Sequence, residues 1–257
     1  MKKPAWVVDK ERARRAAASE TVWLFGLHAV RDALLNPRRE KLRLIVTRNA
    51  ADRLGEALRE GVIEPELADA RRFPAPIDPE SVHQGAALEV RPLDWGALET
   101  VARPGGDSRA LCLLLDRVTD PHNVGAVLRS AEVFGARAVI APQRHSAPET
   151  GALAKTASGA LERQPYLRVT NLVRAMETLA GLGYALVGLD GEAEPTLGAG
   201  LPPGPLALVL GAEGPGLREG TKAACDRLLR IPAEGAFGSL NVSNAAAIAL
   251  YAARVRG

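Results

Sequence analysis

Ala110-Leu-Cys-Leu-Leu-Leu-Asp116 is the most apolar strand candidate in the chain, and Arg117-Val-Thr-Asp-Pro-His-Asn-Val-Gly-Ala-Val-Leu-Arg-Ser-Ala131 follows it directly. A short apolar run that ends in a carboxylate reads as a strand buried on both faces. Beyond it, Val124, Val127, Leu128, Ala131 and Phe134 recur at helical spacing, so that face packs on a sheet, with Asn123 placed to cap the helix. The same alternation continues to the C-terminus. Leu111–Leu115, Ala138–Ala141, Tyr166–Val169, Ala185–Leu189, Leu206–Leu210 and Leu228–Ile231 read as strands separated by helical patterns, which implies an α/β fold with a mostly parallel sheet.

Upstream, a smaller α/β unit is read from a helix near Gly26 to Leu35, a strand at Leu42 to Thr47, a helix at Ala50 to Glu60 and a strand near Ala86 to Arg91. Two Pro/Gly-rich stretches, Phe73-Pro-Ala-Pro-Ile-Asp-Pro79 and Arg103-Pro-Gly-Gly-Asp-Ser108, punctuate the chain. The expected organisation is a basic tail over residues 1–20, a small domain over 21–92, a linker over 93–108 and a larger domain over 109–257.

The 257 residues are 47% apolar and 25% charged, ample for a buried core and unlike a disordered chain. No run approaches the length of a membrane span, and the basic start lacks the apolar core of a secretory signal, so a cytoplasmic protein without membrane association is expected. The net charge of +3 is accounted for by the first twenty residues, and the remainder balances. A strongly basic domain is thus no argument for nucleic acid. Arg makes up 27 of the 33 cations, which suits bidentate pairing with phosphate and equally fits a GC-rich coding sequence. The two cysteines form no metal or redox spacing and the four histidines are dispersed, so no metal site is expected. His122, beside the first loop, reads as a local hydrogen-bonding group.

Three strand-end loops stand out, where ligands of such sheets bind. In the first, Arg129 lies off the apolar stripe, able to reach a phosphate or simply solvated. In the second, Leu208-Val-Leu-Gly-Ala-Glu-Gly-Pro-Gly-Leu217, the glycines serve tight turning or close approach of a ligand. Their spacing is neither the dinucleotide fingerprint nor a phosphate loop, which disfavours a nucleotide-dependent oxidoreductase. Glu213 in their midst suits a cationic or hydroxyl-bearing ligand, or accepts from loop N–H groups. In the third, Ser239, Asn241, Ser243 and Asn244 crowd the start of an Ala-rich helix with more polar groups than one cap consumes.

Asn123 with Arg129, Gly211-Ala-Glu-Gly214, and Ile231-Pro followed by Ser239-Leu-Asn-Val-Ser243 resemble the three ordered motifs of the SpoU (TrmH-like) branch of the SPOUT methyltransferases. Three motifs in this order at these separations are highly specific. Gly26-Leu-His-Ala-Val30 and His83-Gln-Gly85 resemble the subgroup of bacterial 23S ribosomal RNA guanosine-2′-O-methyltransferases, so the likeness covers nearly everything after residue 20.

The resemblance implies a small L30e/L7Ae-like RNA-binding domain followed by an α/β domain whose C-terminal part threads a trefoil knot, a topology that general rules disfavour. It implies S-adenosylmethionine held by Leu210, Gly211, Glu213, Gly214, Ile231, Pro232, Ser239 and Leu240. Pro232-Ala233 departs from the Pro-Met frequent in the family. Catalytic roles fall to Asn123, Arg129, Glu213, Ser239 and Asn241, in a homodimer that contributes groups across its interface. RNA contacts are expected from Arg38, Arg39 and Arg43, each of which also reads as a solvated cation, and from Arg129 and the tail. The implied activity is 2′-O-methylation of a ribose in RNA, a guanosine of 23S ribosomal RNA being favoured. Transfer RNA as substrate, or a non-catalytic RNA-binding assembly factor, are the alternatives.

Overall fold

The computed structural model describes residues 21–78, 80–234 and 240–256. The expected basic tail and Ser239 lie outside these residues. Two compact units emerge, one formed by residues 21–94 together with Glu149–Gly151, the other by Trp95–Pro148 and Ala152 onward.

In the first unit β1 (Val22–Phe25), α1 (Leu27–Leu35), β2 (Lys41–Val46), α2 (Arg48–Leu54), α3 (Glu56–Glu60), β3 (Pro65–Leu67) and β4 (Ala86–Val90) follow in order. The sheet runs β1-β4-β2-β3, antiparallel except for the β2–β3 pair. The single helix expected over 50–60 is two, because Gly55 takes φ 46° and ψ −110° and breaks the turn. Strands β1 and β3, of four and three residues, were not anticipated: runs so short carry little periodicity.

The two N-terminal motifs meet in space. Gly26 caps α1 at φ 90° and has no side chain to satisfy the first helical N–H groups. Gln84 Oε1 accepts from Leu27 N at 3.0 Å instead. His83 Nδ1 accepts from Gly85 N at 3.1 Å while its ring stacks on Phe73 with centroids 4.2 Å apart. Gly85 has φ 77°, and a Cβ there would lie 2.3 Å from Thr47 Oγ1. His83-Gln84-Gly85 is thus a turn that caps a helix.

The second unit contains α4 (Leu98–Val101), β5 (Leu111–Asp116), α5 (Pro121–Val133), β6 (Ala138–Pro142), α6 (from Gly151, the first unit's last residue, to Ala157), β7 (Tyr166–Val169), α7 (Leu172–Gly181), β8 (Ala185–Leu189), α8 (Leu197–Gly200), β9 (Leu206–Gly211), α9 (Glu219–Ala223), β10 (Arg227–Leu229) and α10 (Val242–Val255). Its sheet is ordered β10-β8-β9-β5-β6-β7 and every pair is parallel. All six residues of β5 are buried, the five apolar ones as a central parallel strand requires and Asp116 through its bonds to Arg218. Leu98 and Val101 of α4, with Trp95, pack on a core that includes Ala102, Met176 and Leu179, so this stretch belongs to the larger unit.

The cap of α5 corrects an expectation. Asp120 is the N-cap, its side chain accepting from His122 N, and Pro121 opens the helix; Asn123 lies inside the first turn, where its amide is left for other partners. No helix among the described residues is long and apolar enough to cross a membrane.

Candidate active site

The parallel register sets Asp116 beside Gly211, so the ends of β5 and β9 are level at the carboxyl edge of the sheet. From there residues 212–216 fold back, with Gly216 N donating to Ala212 O at 2.9 Å. A Cβ on Gly211 would lie 2.1 Å from Gly216 C and 2.3 Å from Leu217 N, and Gly214 and Gly216 take φ 82° and 67°. The glycines are therefore required by the turn itself. The turn lifts Glu213 to an exposed position opposite the start of α10.

There one carboxylate oxygen gathers two distant segments. Glu213 Oε1 accepts from Asn123 Nδ2 at 3.1 Å, from Asn241 Nδ2 at 2.6 Å and from Val242 N at 3.2 Å. Asn241 Nδ2 also donates to Asn123 Oδ1 at 2.9 Å, and Asn241 Oδ1 caps α10 by accepting from Ser243 N at 2.9 Å. Val242 N is an orphan backbone donor of a helix start and the Asn241 side-chain amide donates beside it, which is why a carboxylate is stable there.

Beside this hub lies a cleft of about 380 Å³, within the usual range for small-molecule sites. It is lined by Leu210, Gly211, Glu213, Gly214, Ile231 and Leu240 of the expected cofactor residues. Exposed Pro232 is not part of the lining. Sequence reasoning missed Asp190, Glu192 and Lys222 on its far wall. Lys222 Nζ lies 2.6 Å from Asp190 Oδ2; that bond, with Glu192 N on Oδ1, holds the Asp190 carboxyl below the ordinary range and raises the Lys222 ammonium. Asp190 directly follows an apolar strand, a signal the sequence did carry. With three carboxylates against one ammonium, the lining is anionic, while Leu210, Ile231, Leu240 and Val242 supply apolar wall. A ligand with a flat apolar ring and a cationic centre fits that chemistry.

Other expected residues lie apart from the hub. Arg129 is exposed on α5, and none of the described hydrogen bonds or ion pairs engages it. Six residues at about 100° each place it roughly 120° around the helix from Asn123. His122 Nδ1 is 3.0 Å from Thr156 Oγ1 on α6. Arg39 overturns its expected RNA contact: its side chain is 0% exposed, held by Arg91 O at 2.8 Å and Glu149 Oε1 at 2.6 Å. Arg38 donates to Asp94 O at 2.8 Å, and Arg43 pairs through Nε and Nη2 with both oxygens of Glu66 at 2.8 Å. Among the described residues no group of acidic, His and Cys side chains is arranged to hold a metal.

Sheet, loop and cleft together define an α/β domain built to hold a small ligand beyond its strand ends. Residues 110–251 match the model of the SpoU rRNA Methylase family. The 23S rRNA (guanosine-2'-O-)-methyltransferase RlmB of Pseudomonas putida is 40% identical over 238 residues, spanning 90% of this chain and 94% of that protein. The enzyme of the same name from Pseudomonas syringae pv. tomato is 41% identical over 237 residues, with 90% and 94% covered. The crystal structure of the SpoU methyltransferase AviRb from Streptomyces viridochromogenes in complex with the cofactor AdoMet aligns with a TM-score of 0.77 at 25% identity, covering 94% of this chain and 92% of that one. The chain belongs to the SpoU rRNA methylase family.

Proposed function

We propose that this protein transfers a methyl group from S-adenosylmethionine to the ribose 2′-hydroxyl of a guanosine in 23S ribosomal RNA. The observation that carries the reading is the meeting of Asn123 from the first turn of α5, Glu213 from the glycine turn and Asn241 from the cap of α10 at the rim of the anionic cleft. Names and coverage of the relatives supply the RNA and the nucleotide.

Leu210, Gly211, Ile231 and Leu240 would hold the cofactor's apolar part, and Glu213 and Asp190 its cationic part. When bound, the cofactor supplies an activated methyl. The chain's own task is to position the ribose and stabilise the oxygen as its proton passes to solvent water. Asn123 and Asn241, fixed by Glu213, present oriented amides for the ribose. Arg129 holds the neighbouring phosphate and the developing alkoxide; a guanidinium carries N–H donors and no acceptor, so it donates hydrogen bonds and does not act as a base.

Because Arg129 faces away from Asn123 on its own helix, it serves the cleft of a second copy. A homodimer is supported by the exposed apolar side chains of Val133 on α5 and Ile248, Tyr251 and Val255 on α10. The smaller unit is read as an L30e/L7Ae-like RNA-binding domain, supported by its four-stranded mixed sheet with flanking helices. The trefoil knot expected of the C-terminal part of the larger unit is supported by the return of Asn241 and Val242 to Glu213. Action in the cytoplasm follows from the substrate.

Arg129→Ala tests the assignment. Single-turnover transfer to unmodified 23S RNA is expected to slow about 10²–10³-fold, with cofactor affinity by calorimetry unchanged. Equal loss of both rejects the role given to Arg129, and absence of transfer by the unaltered protein rejects the function.

A further inference from the structure

A second cleft, of about 410 Å³, opens in the larger unit beyond the carboxyl ends of β6 and β7. Arg144, His145, Asn171, Leu172, Arg218 and Thr221 stand in its wall, and no carboxylate lines it. Arg144 is exposed and engaged by none of the described residues. Arg218 is fixed from behind: fully buried Asp116 accepts from its Nε at 2.7 Å and its backbone N at 3.0 Å, leaving the Nη groups without a described partner. Asp116 offsets the Arg218 charge, so the excess positive charge is that of Arg144, and Arg218 contributes directed N–H donors.

Two further features point to an anion. Asn171 caps the ten-residue helix α7 by accepting from Arg174 N at 3.1 Å, so the N–H groups of Leu172 and Val173 are left at the cleft with the positive end of the helix dipole. Independently, Thr221 is 1% exposed, stands in the same wall, and its Oγ1 has no hydrogen-bond partner. A buried hydroxyl without a partner is costly unless a ligand completes it.

We propose that this cleft holds a backbone phosphodiester of the RNA substrate. The inference rests on the RNA reading of function and extends it to a second point of contact. One net cation with neutral donors matches a monoanionic phosphodiester better than a dianionic phosphate. Arg218 lies two residues past the 212–216 turn, so the cleft adjoins the cofactor loop and holds RNA close to the nucleotide being modified.

The test uses the full chain, with anisotropy of a single-stranded RNA oligonucleotide read across a salt series. Arg144→Ala is expected to weaken binding about tenfold and to reduce the slope of log affinity against log salt by about 0.7. Thr221→Val is expected to weaken it severalfold; unchanged S-adenosylmethionine affinity shows that both variants are folded. An oligonucleotide with uncharged methylphosphonate linkages should bind the unaltered protein and Arg144→Ala alike. Unchanged RNA affinity and slope overturn the proposal, as does competition by inorganic phosphate for this cleft without any effect on RNA. If the variants lose RNA affinity while the unaltered protein transfers no methyl, the functional reading falls and this site stands. Normal transfer with undiminished RNA affinity has the opposite meaning.

Discussion

Glu213 Oε1 takes three donors, while the other oxygen of the same carboxylate has none among the described residues. The side chain of this cleft-lining residue is thereby anchored through one atom, and the other is left for further partners. His83 shows the same economy in the smaller unit. Burial lowers its pKa, and Nδ1 must stay unprotonated to accept from Gly85 N. Since the folded value is depressed, the contribution to stability is complete above the unfolded value of about 6.5 and is lost as the pH falls through the lower folded value. Thermal unfolding should show the smaller unit less stable at pH 5 than at pH 7.5, with His83→Gln flattening that difference; an unchanged pH slope in the variant would dismiss the role. At this scale the sequence singled out Glu213 by its place among glycines and Asn241 by the crowding of polar groups at a helix start, and left the use of each open. It misled where a competing partner lay far off in the chain. Arg39 reads as a surface cation until Arg91 and Glu149 are seen to enclose it, and the Asp116–Arg218 pair joins positions 102 apart.

Among the elements, α5 does most to place the site, since it carries Asn123 at its start and Arg129 two turns on. Its approach to α6 is set by Gly125, where a Cβ would lie 2.6 Å from Leu153 O, 2.8 Å from Thr156 Cβ and 3.0 Å from Ala157 N. Two of these are backbone atoms, which cannot step aside cheaply. Gly125→Ala is expected to destabilise the protein by about 1–3 kcal/mol, outweighing the roughly 1 kcal/mol that Ala gains over Gly in a helix interior. Urea unfolding measures the balance, and a stabilised variant would show that the helices separate freely. The strands of the larger sheet were readable to within a residue or two, because buried parallel strands announce themselves as apolar runs. The break at Gly55 and the three-residue β3 were not, since both are settled by tertiary packing and not by local pattern.

For the molecule as a whole, the proposed dimer makes a prediction that no single chain can satisfy. If Arg129 serves the cleft of the other copy, then Arg129→Ala and Glu213→Ala chains are each inactive alone, yet their heterodimer contains one intact site. Random mixing makes half the dimers heterodimers, so about a quarter of all sites recover. Methyl transfer measured after refolding the two variants together reads this directly, and no recovery would place Arg129 and Glu213 in the same chain's site.

The central strands β5 and β9 pair although the chain travels through β6, β7 and β8 between them, and the last helix supplies two of the donors that settle Glu213. Long excursions before pairing make such folds slow to form. A polypeptide still being synthesised lacks α10, so the carboxylate at 213 has neither the Asn241 amide nor the Val242 N–H to hold it. Competence for the methyl donor is accordingly acquired only once α10 has been made, and ligand uptake reports that this helix has docked.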